Sequence, residues 1–216
     1  MLEDYTLQKK NIKHARIKVS EDGHVSVLVP HTFTDDDISA LMSKKANWIS
    51  KQLAFFDKKS RIELTRNQLL LFGNRYSYFY DETYSRKIVI DHNFKTIRAK
   101  KDLLDLEIQK KWYKQEARKY LVARTNKLAE RLNFKYKEIY IRDQRTKLGN
   151  CSADLNISFN WRLIKAPKIV SDYLIIHELV HTIIMNHSSK FWTLLKSLYP
   201  DYKDAMDWID KYGNSL

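Results

Sequence analysis

Asp172–Trp192 reads DYLIIHELVHTIIMNHSSKFW. Within it, His177-Glu178-Leu179-Val180-His181 has the spacing HExxH. On a helix, residues i and i+4 project only about 40° apart, so both imidazoles reach toward one point. Glu178 projects about 100° round from His177, beside that point and not on it. Two imidazoles so placed suit a divalent metal ion. A carboxylate so placed suits taking a proton from a water that the ion holds.

An open metal site of this kind needs a third protein ligand. No glutamate follows Glu178 in the chain, which excludes a distant Glu in that role. His187 follows His181 with five residues between them. A helix running straight on would carry His187 away along the axis. The helix is therefore expected to stop near Met185, closed by Asn186 in the left-handed conformation. Ser188 or Ser189 is then expected to cap a helix over residues 190–198. The triad read here is His177, His181 and His187, with water in the fourth place; its rival third ligand is a tail aspartate, Asp204 or Asp207. Read as ordinary core histidines instead, His177 and His181 would lie on the face of Leu174 and Ile184. Burying two histidines and a glutamate there without partners is costly.

The chain has 216 residues, 44% of them hydrophobic and 30% charged, enough for one large or two small cores. No apolar run reaches the length of a membrane span. MLEDYTLQKKN reads as neither a secretory signal nor a transit peptide. The single cysteine, Cys151, excludes an internal disulfide and suits a cytoplasmic location; its thiol reads as packing. The net charge of +13 is spread over both halves. Such a surface favours anionic partners, nucleic acid among them, or is simply solvated.

Before the metal motif the pattern is mixed. Tyr5–Lys9 reads as a weak strand. Residues 15–19 and 25–29 alternate around Glu21-Asp22-Gly23-His24, which predicts a hairpin. Thr34 caps a helix with Asp35, Asp36 and Asp37 in its first turn. Its apolar stripe is Ile38, Leu41, Met42, Ile49, Leu53 and Phe56, and it ends at Lys58-Lys59. Residues 68–99 return to strands, with Tyr76–Tyr80 filling one sheet face. A long striped helix is expected from Asp102 to Leu132. After it come a strand at 138–142, a loop from Asp143 to Ser152, and a strand at 155–159. A last helix, 202–212, is expected to pack Met206, Trp208 and Ile209 behind the metal-site helix.

Four stretches in this order resemble the YgjP-like metal-dependent hydrolases, relatives of SprT-like and other zincin metallopeptidases. They are the basic hairpin with Asp22-Gly23 ending at Pro30, the helix with Lys45 and Trp48-Ile49, Arg142–Ser152, and HELVH followed by NHSSKFW and Tyr199-Pro200. The third usually contains WGSCS; here Leu148 stands for its Trp and Asn150 for its first Ser. The resemblance implies one Zn²⁺, or another divalent ion, on His177, His181 and His187, with Glu178 as general base. The pattern along the chain gives an α+β fold: a β-rich N-terminal region, 1–100, with one packed helix, then a helical catalytic region, 101–216, zincin-like by the resemblance, with a small antiparallel sheet, the two expected to pack as one unit. In such enzymes an edge strand aligns an extended peptide, a role expected here for 155–159. Arg142, Arg145, Lys147 and Asn150 are candidate substrate-binding residues. The expected activity is metallopeptidase-like hydrolysis. The alternatives are hydrolysis of a nucleoside triphosphate, proteolysis on DNA-bound targets, and a purely structural zinc.

Overall fold

The structure, a computed structural model, describes residues 5–20, 23–57, 62–85, 87–144 and 146–216. The fold is α+β, and the chain divides into two compact units, Met1–Arg61 and Ile62–Leu216.

In the first unit, β1 (Tyr5–Lys10), β2 (Arg16–Val19) and β3 (Val25–Pro30) form a sheet of order β1-β3-β2. β2 and β3 are the expected antiparallel hairpin, and β1 joins β3 in parallel. Val25, Val27 and Val29 alternate inward and meet Ile38 and Ile49 of α1 (Asp35–Asp57) in a small core. Thr34 and Asp37 cap α1 reciprocally. The Thr34 hydroxyl accepts the Asp37 N–H at 3.2 Å, and the Asp37 carboxylate accepts the Thr34 N–H at 2.9 Å. Glu21, Asp22, the Phe56 side chain, Lys58 and Lys59 lie outside the described residues.

The second unit opens with β4 (Gln68–Leu71), β5 (Asn74–Tyr80), β6 (Ile88–Asp91) and β7 (Thr96–Ala99), in order β4-β5-β7-β6. Phe72 and Gly73 link β4 to β5, both at positive φ (51° and 75°), as a two-residue hairpin turn requires. Their N–H groups donate to the carbonyls of Ile164 and Lys165, at 2.9 and 2.8 Å. The turn thereby fixes the chain just before the metal-site helix. Tyr76 and Tyr78 are buried, whereas Phe79 and Tyr80 are exposed.

α2 (Leu106–Leu132) begins four residues after Asp102, because Asp105 is the residue whose carboxylate accepts the N–H groups of Glu107 and Ile108. It ends at Asn133 in the left-handed conformation. Its buried Trp112, Tyr113, Ala117, Leu121 and Leu128 share one core with Leu69, Tyr76, Tyr78 and Ile97 of the four-stranded sheet. Residues 62–99 therefore cluster with the rest of the second unit, Ile62–Leu216.

The small sheet differs from expectation in two ways. β8 (Ile139–Arg142), β9 (Gly149–Cys151) and β10 (Ile157–Asn160) run in the order β8-β10-β9. β10 pairs in parallel with β8 and antiparallel with β9, so the sheet is mixed rather than antiparallel. Moreover β10, expected at the edge, is the central strand; the edges are β8 and β9, the latter inside the stretch read as a loop. Gly149-Asn150 has the composition of a turn, and three residues are too few to show alternation.

A 3₁₀ turn, Trp161–Lys165, leads to α3 (Lys168–His181), which is buried on most sides; α4 (Ser189–Leu198) and α5 (Tyr202–Tyr212) pack against it. Met206, Trp208 and Ile209 of α5 pack on the core as expected. α3 stops at His181, not near Met185, and Asn186 does not adopt the left-handed conformation. The last-turn carbonyls are satisfied from within: the Thr182 hydroxyl donates to Leu179 O at 2.7 Å, and the Ile183 and Ile184 N–H groups to Val180 O. Asn186 instead accepts the Ser188 N–H through its side chain, at 3.2 Å, just ahead of α4.

Candidate metal centre

The last turn of α3 carries His177 and His181, and the short link to α4 brings His187 back to them. The three Nε2 atoms form a near-equilateral triangle: 3.1 Å from His177 to His181, 3.2 Å from His181 to His187, and 3.1 Å from His187 to His177. Nitrogens set 2.0–2.1 Å from one tetrahedral ion lie about 3.3 Å apart, so this triangle fits such an ion. His181 Nδ1 is 3.0 Å from the Ile184 carbonyl. A carbonyl only accepts, so Nδ1 carries the proton and Nε2 presents a bare lone pair. His177 Nδ1 faces the Tyr173 hydroxyl at 3.4 Å. Converging lone pairs of this kind repel one another unless a cation lies between them.

Phe191 of α4, fully buried, packs against all three rings. Its centroid lies 4.9 Å from that of His177, 4.6 Å from His181 and 4.8 Å from His187. An apolar plate behind the imidazoles restrains their orientation and keeps water from that side. Burial, then the neighbouring His181 and His187, pushes His177 down to about 3; His181 is also lowered, chiefly by burial. Neutral imidazoles are the form that binds metal.

Glu178 is buried, and its Oε2 has no hydrogen-bond partner among the described residues. Burial pushes its carboxyl up to about 8, against the pull of Lys147 and then of the Cys151 backbone N–H. The Cys151 thiol is itself pushed up to about 11, by burial and then by Glu178. A thiol so placed stays protonated and packs, as its sequence context suggested.

The remaining candidates separate. Asp204 and Asp207 do not join the cluster: among the described residues, the acids, cysteine and histidines grouped to hold an ion are His177, His181 and His187. The exposed Lys147 acts electrostatically on Glu178. Asn150 lies in β9, with its side chain on the face opposite Gly149 and Cys151 by alternation. Arg142 stacks over the Tyr140 ring on β8, across the sheet from β9. Arg145 lies outside the described residues. Sequence reasoning missed the parts played by Phe191, Tyr173 and the β9 backbone. Phe191 is four residues after His187 and Tyr173 four before His177, so helical spacing was the available signal for both.

The model of the YgjP-like metallopeptidase domain matches residues 13–212. The chain belongs to the YgjP-like family. No curated protein and no solved structure matches it. Membership makes the protein one of a family of metal-dependent hydrolases and implies a divalent ion; His177, His181 and His187 form a cluster that could hold one. No described helix is long and apolar enough to cross a membrane.

Proposed function

We propose that this YgjP-like protein is a zinc-dependent peptidase in which His177, His181 and His187 hold the ion and Glu178 is the general base. The observation that carries this reading is the triangle of Nε2 atoms beside a buried carboxylate with one unpartnered oxygen. A zinc ion held there supplies a water acidified to a pKa near 7 and polarises the carbonyl to be attacked. Glu178 takes the proton from the attacking water and returns it to the leaving amine. The Cys151 N–H steadies the carboxylate through both transfers. Lys147 offsets the charge that Glu178 carries before the first transfer and regains after the second.

The substrate would lie along β9. Asn160 N–H bonds Leu148 O and Ser152 N–H bonds Asn156 O, so alternate residues of this strand bond toward β10. The backbone groups of Gly149 and the carbonyl of Cys151 accordingly point away from β10, where an extended peptide can pair, while the Cys151 N–H is turned to Glu178.

The test is a turnover screen of fluorogenic peptides against nucleoside triphosphates with zinc-loaded protein and its Glu178→Gln variant. Peptide cleavage is expected. The variant should keep its zinc and its fold and lose about 10²–10⁴-fold in rate. Full activity in the variant, or turnover of the triphosphates alone, overturns the proposal.

A further inference from the structure

We infer that Gly149 is a positioning residue for the Glu178 carboxylate, present because only a glycine lets the edge strand β9 lie flush against it. The inference rests on the reading of Glu178 as the base. Gly149 is not at positive φ; the glycines that are, Gly23 and Gly73, sit in turns. Backbone conformation therefore does not call for glycine at 149, and the reason is steric. A Cβ built there would stand 2.5 Å from Glu178 Oε1 and 3.1 Å from both its Cγ and Cδ.

Glu178 has little room to give way. It is buried on α3, which packs against β9, and two residues along that strand the Cys151 N–H attracts its carboxylate. The strand thus meets the carboxylate twice, by close contact at Gly149 and by the attraction of the Cys151 N–H. Of the carboxylate oxygens, it is Oε2 that is left buried and unpartnered, for the proton in transit. Gly149 and Cys151 share the sheet face that also carries the buried Phe159 and Ile157, their partners on β10. A side chain at 149 would force either the carboxylate or the strand to move, and both are parts of the same site.

The test is a cycle of thermal stabilities on the metal-free full chain: wild type, Gly149→Ala, Glu178→Ala, and both together. Added bulk in a packed site should lower the Tm of Gly149→Ala by about 3–10 °C while Glu178 is present. With Glu178→Ala the same methyl should cost less than half as much, because the group it strikes is gone. Equal losses in both backgrounds would mean that the alanine merely weakens β9, and would overturn the inference. If Gly149→Ala alone does not fold, a folded double variant supports the inference and an unfolded one overturns it. Zinc affinity gives the second readout. It should stay within about threefold of wild type in Gly149→Ala, since no histidine contacts the added methyl; a fall beyond about 10-fold would place the damage at the ligands and not at the base. Neither readout measures turnover, so a failed peptide screen and a failed cycle are distinguishable.

Discussion

His187 completes the triangle from outside the helix that carries the other two histidines. The 182–186 link, the stop at His181 and the packing of Phe191 and Trp192 on its ring hold it there. Loss of a partner that merely orients a ligand costs about 10–100-fold in metal affinity, so loss of a direct ligand should cost more than about 100-fold. His187→Ala is expected to show this in a competition titration against a chromophoric zinc chelator; unchanged zinc content after dialysis would remove His187 from the set. Burial of the neighbouring Glu178 and His177 also sets how the metal-free protein responds to pH. Unfolded, Glu178 ionises near its ordinary 4.5, but folded it keeps its proton to about 8. Stability therefore falls as pH rises through that window. Unfolded, His177 takes a proton below 6.5, but folded it refuses one until about 3. Stability therefore also falls as pH drops through that second window. Between about 4.5 and 6.5 the two slopes oppose, and the metal-free Tm should be highest there. Thermal melts from pH 4 to 9 should show decline on both sides, with the alkaline limb flattened in Glu178→Gln. A metal-free Tm that climbs from pH 6.5 to 8 would contradict this account.

Among the elements, α4 presents Phe191 to the back of all three imidazoles. Phe191→Leu keeps an apolar filler but loses the flat ring. Zinc affinity is expected to fall by about 10-fold, with the fold retained by circular dichroism. Affinity equal to wild type would show that the ring only fills space. The sequence made α4, α5, the hairpin of β2 and β3, and the body of α3 legible, because each repeats its apolar residues over several turns or alternations. It did not reveal β9, whose Gly149-Asn150-Cys151 is too short to carry a period and is placed by pairing with β10 and packing on α3. Nor did it reveal the end of α3. The helix closes at Thr182, still right-handed, whose hydroxyl and N–H both bond back to Leu179 O, where helix-ending rules point to a left-handed residue such as Asn186. The His-Glu-His spacing could be read because one helical turn fixes it. The base's surroundings could not, since Gly149 and Cys151 reach Glu178 only through tertiary packing.

At the scale of the whole molecule, the site and its support lie within one unit. His177, Glu178, His181, His187, Phe191 and β9 all fall in Ile62–Leu216. The core behind them also draws on residues well before the 100/101 boundary read from composition and pattern. Leu69, Leu71, Tyr76, Tyr78, Ile97 and Ala99 are buried in it beside Trp112 and Tyr113. The Tyr113 hydroxyl donates to Leu70 O at 2.8 Å, and the β4–β5 turn bonds the carbonyls of Ile164 and Lys165 ahead of α3. A Cβ on Gly73 would come within 2.7 Å of Pro167, so that turn is seated closely on the start of α3. A chain cut to 62–216 retains all of these contacts; one cut to 101–216 loses the sheet that covers α2 and the anchor of α3. The longer fragment is expected to melt cooperatively and to bind zinc within about threefold of the full chain, since domains of this size carry their own core. The shorter one exposes apolar surface from several large buried side chains and is expected to bind a hydrophobic dye without a cooperative melt. Titrating both fragments with zinc and following their melting decides the matter. A cooperative, zinc-binding 101–216 fragment would show that the strands before it are dispensable, and would return the boundary to where the sequence first put it.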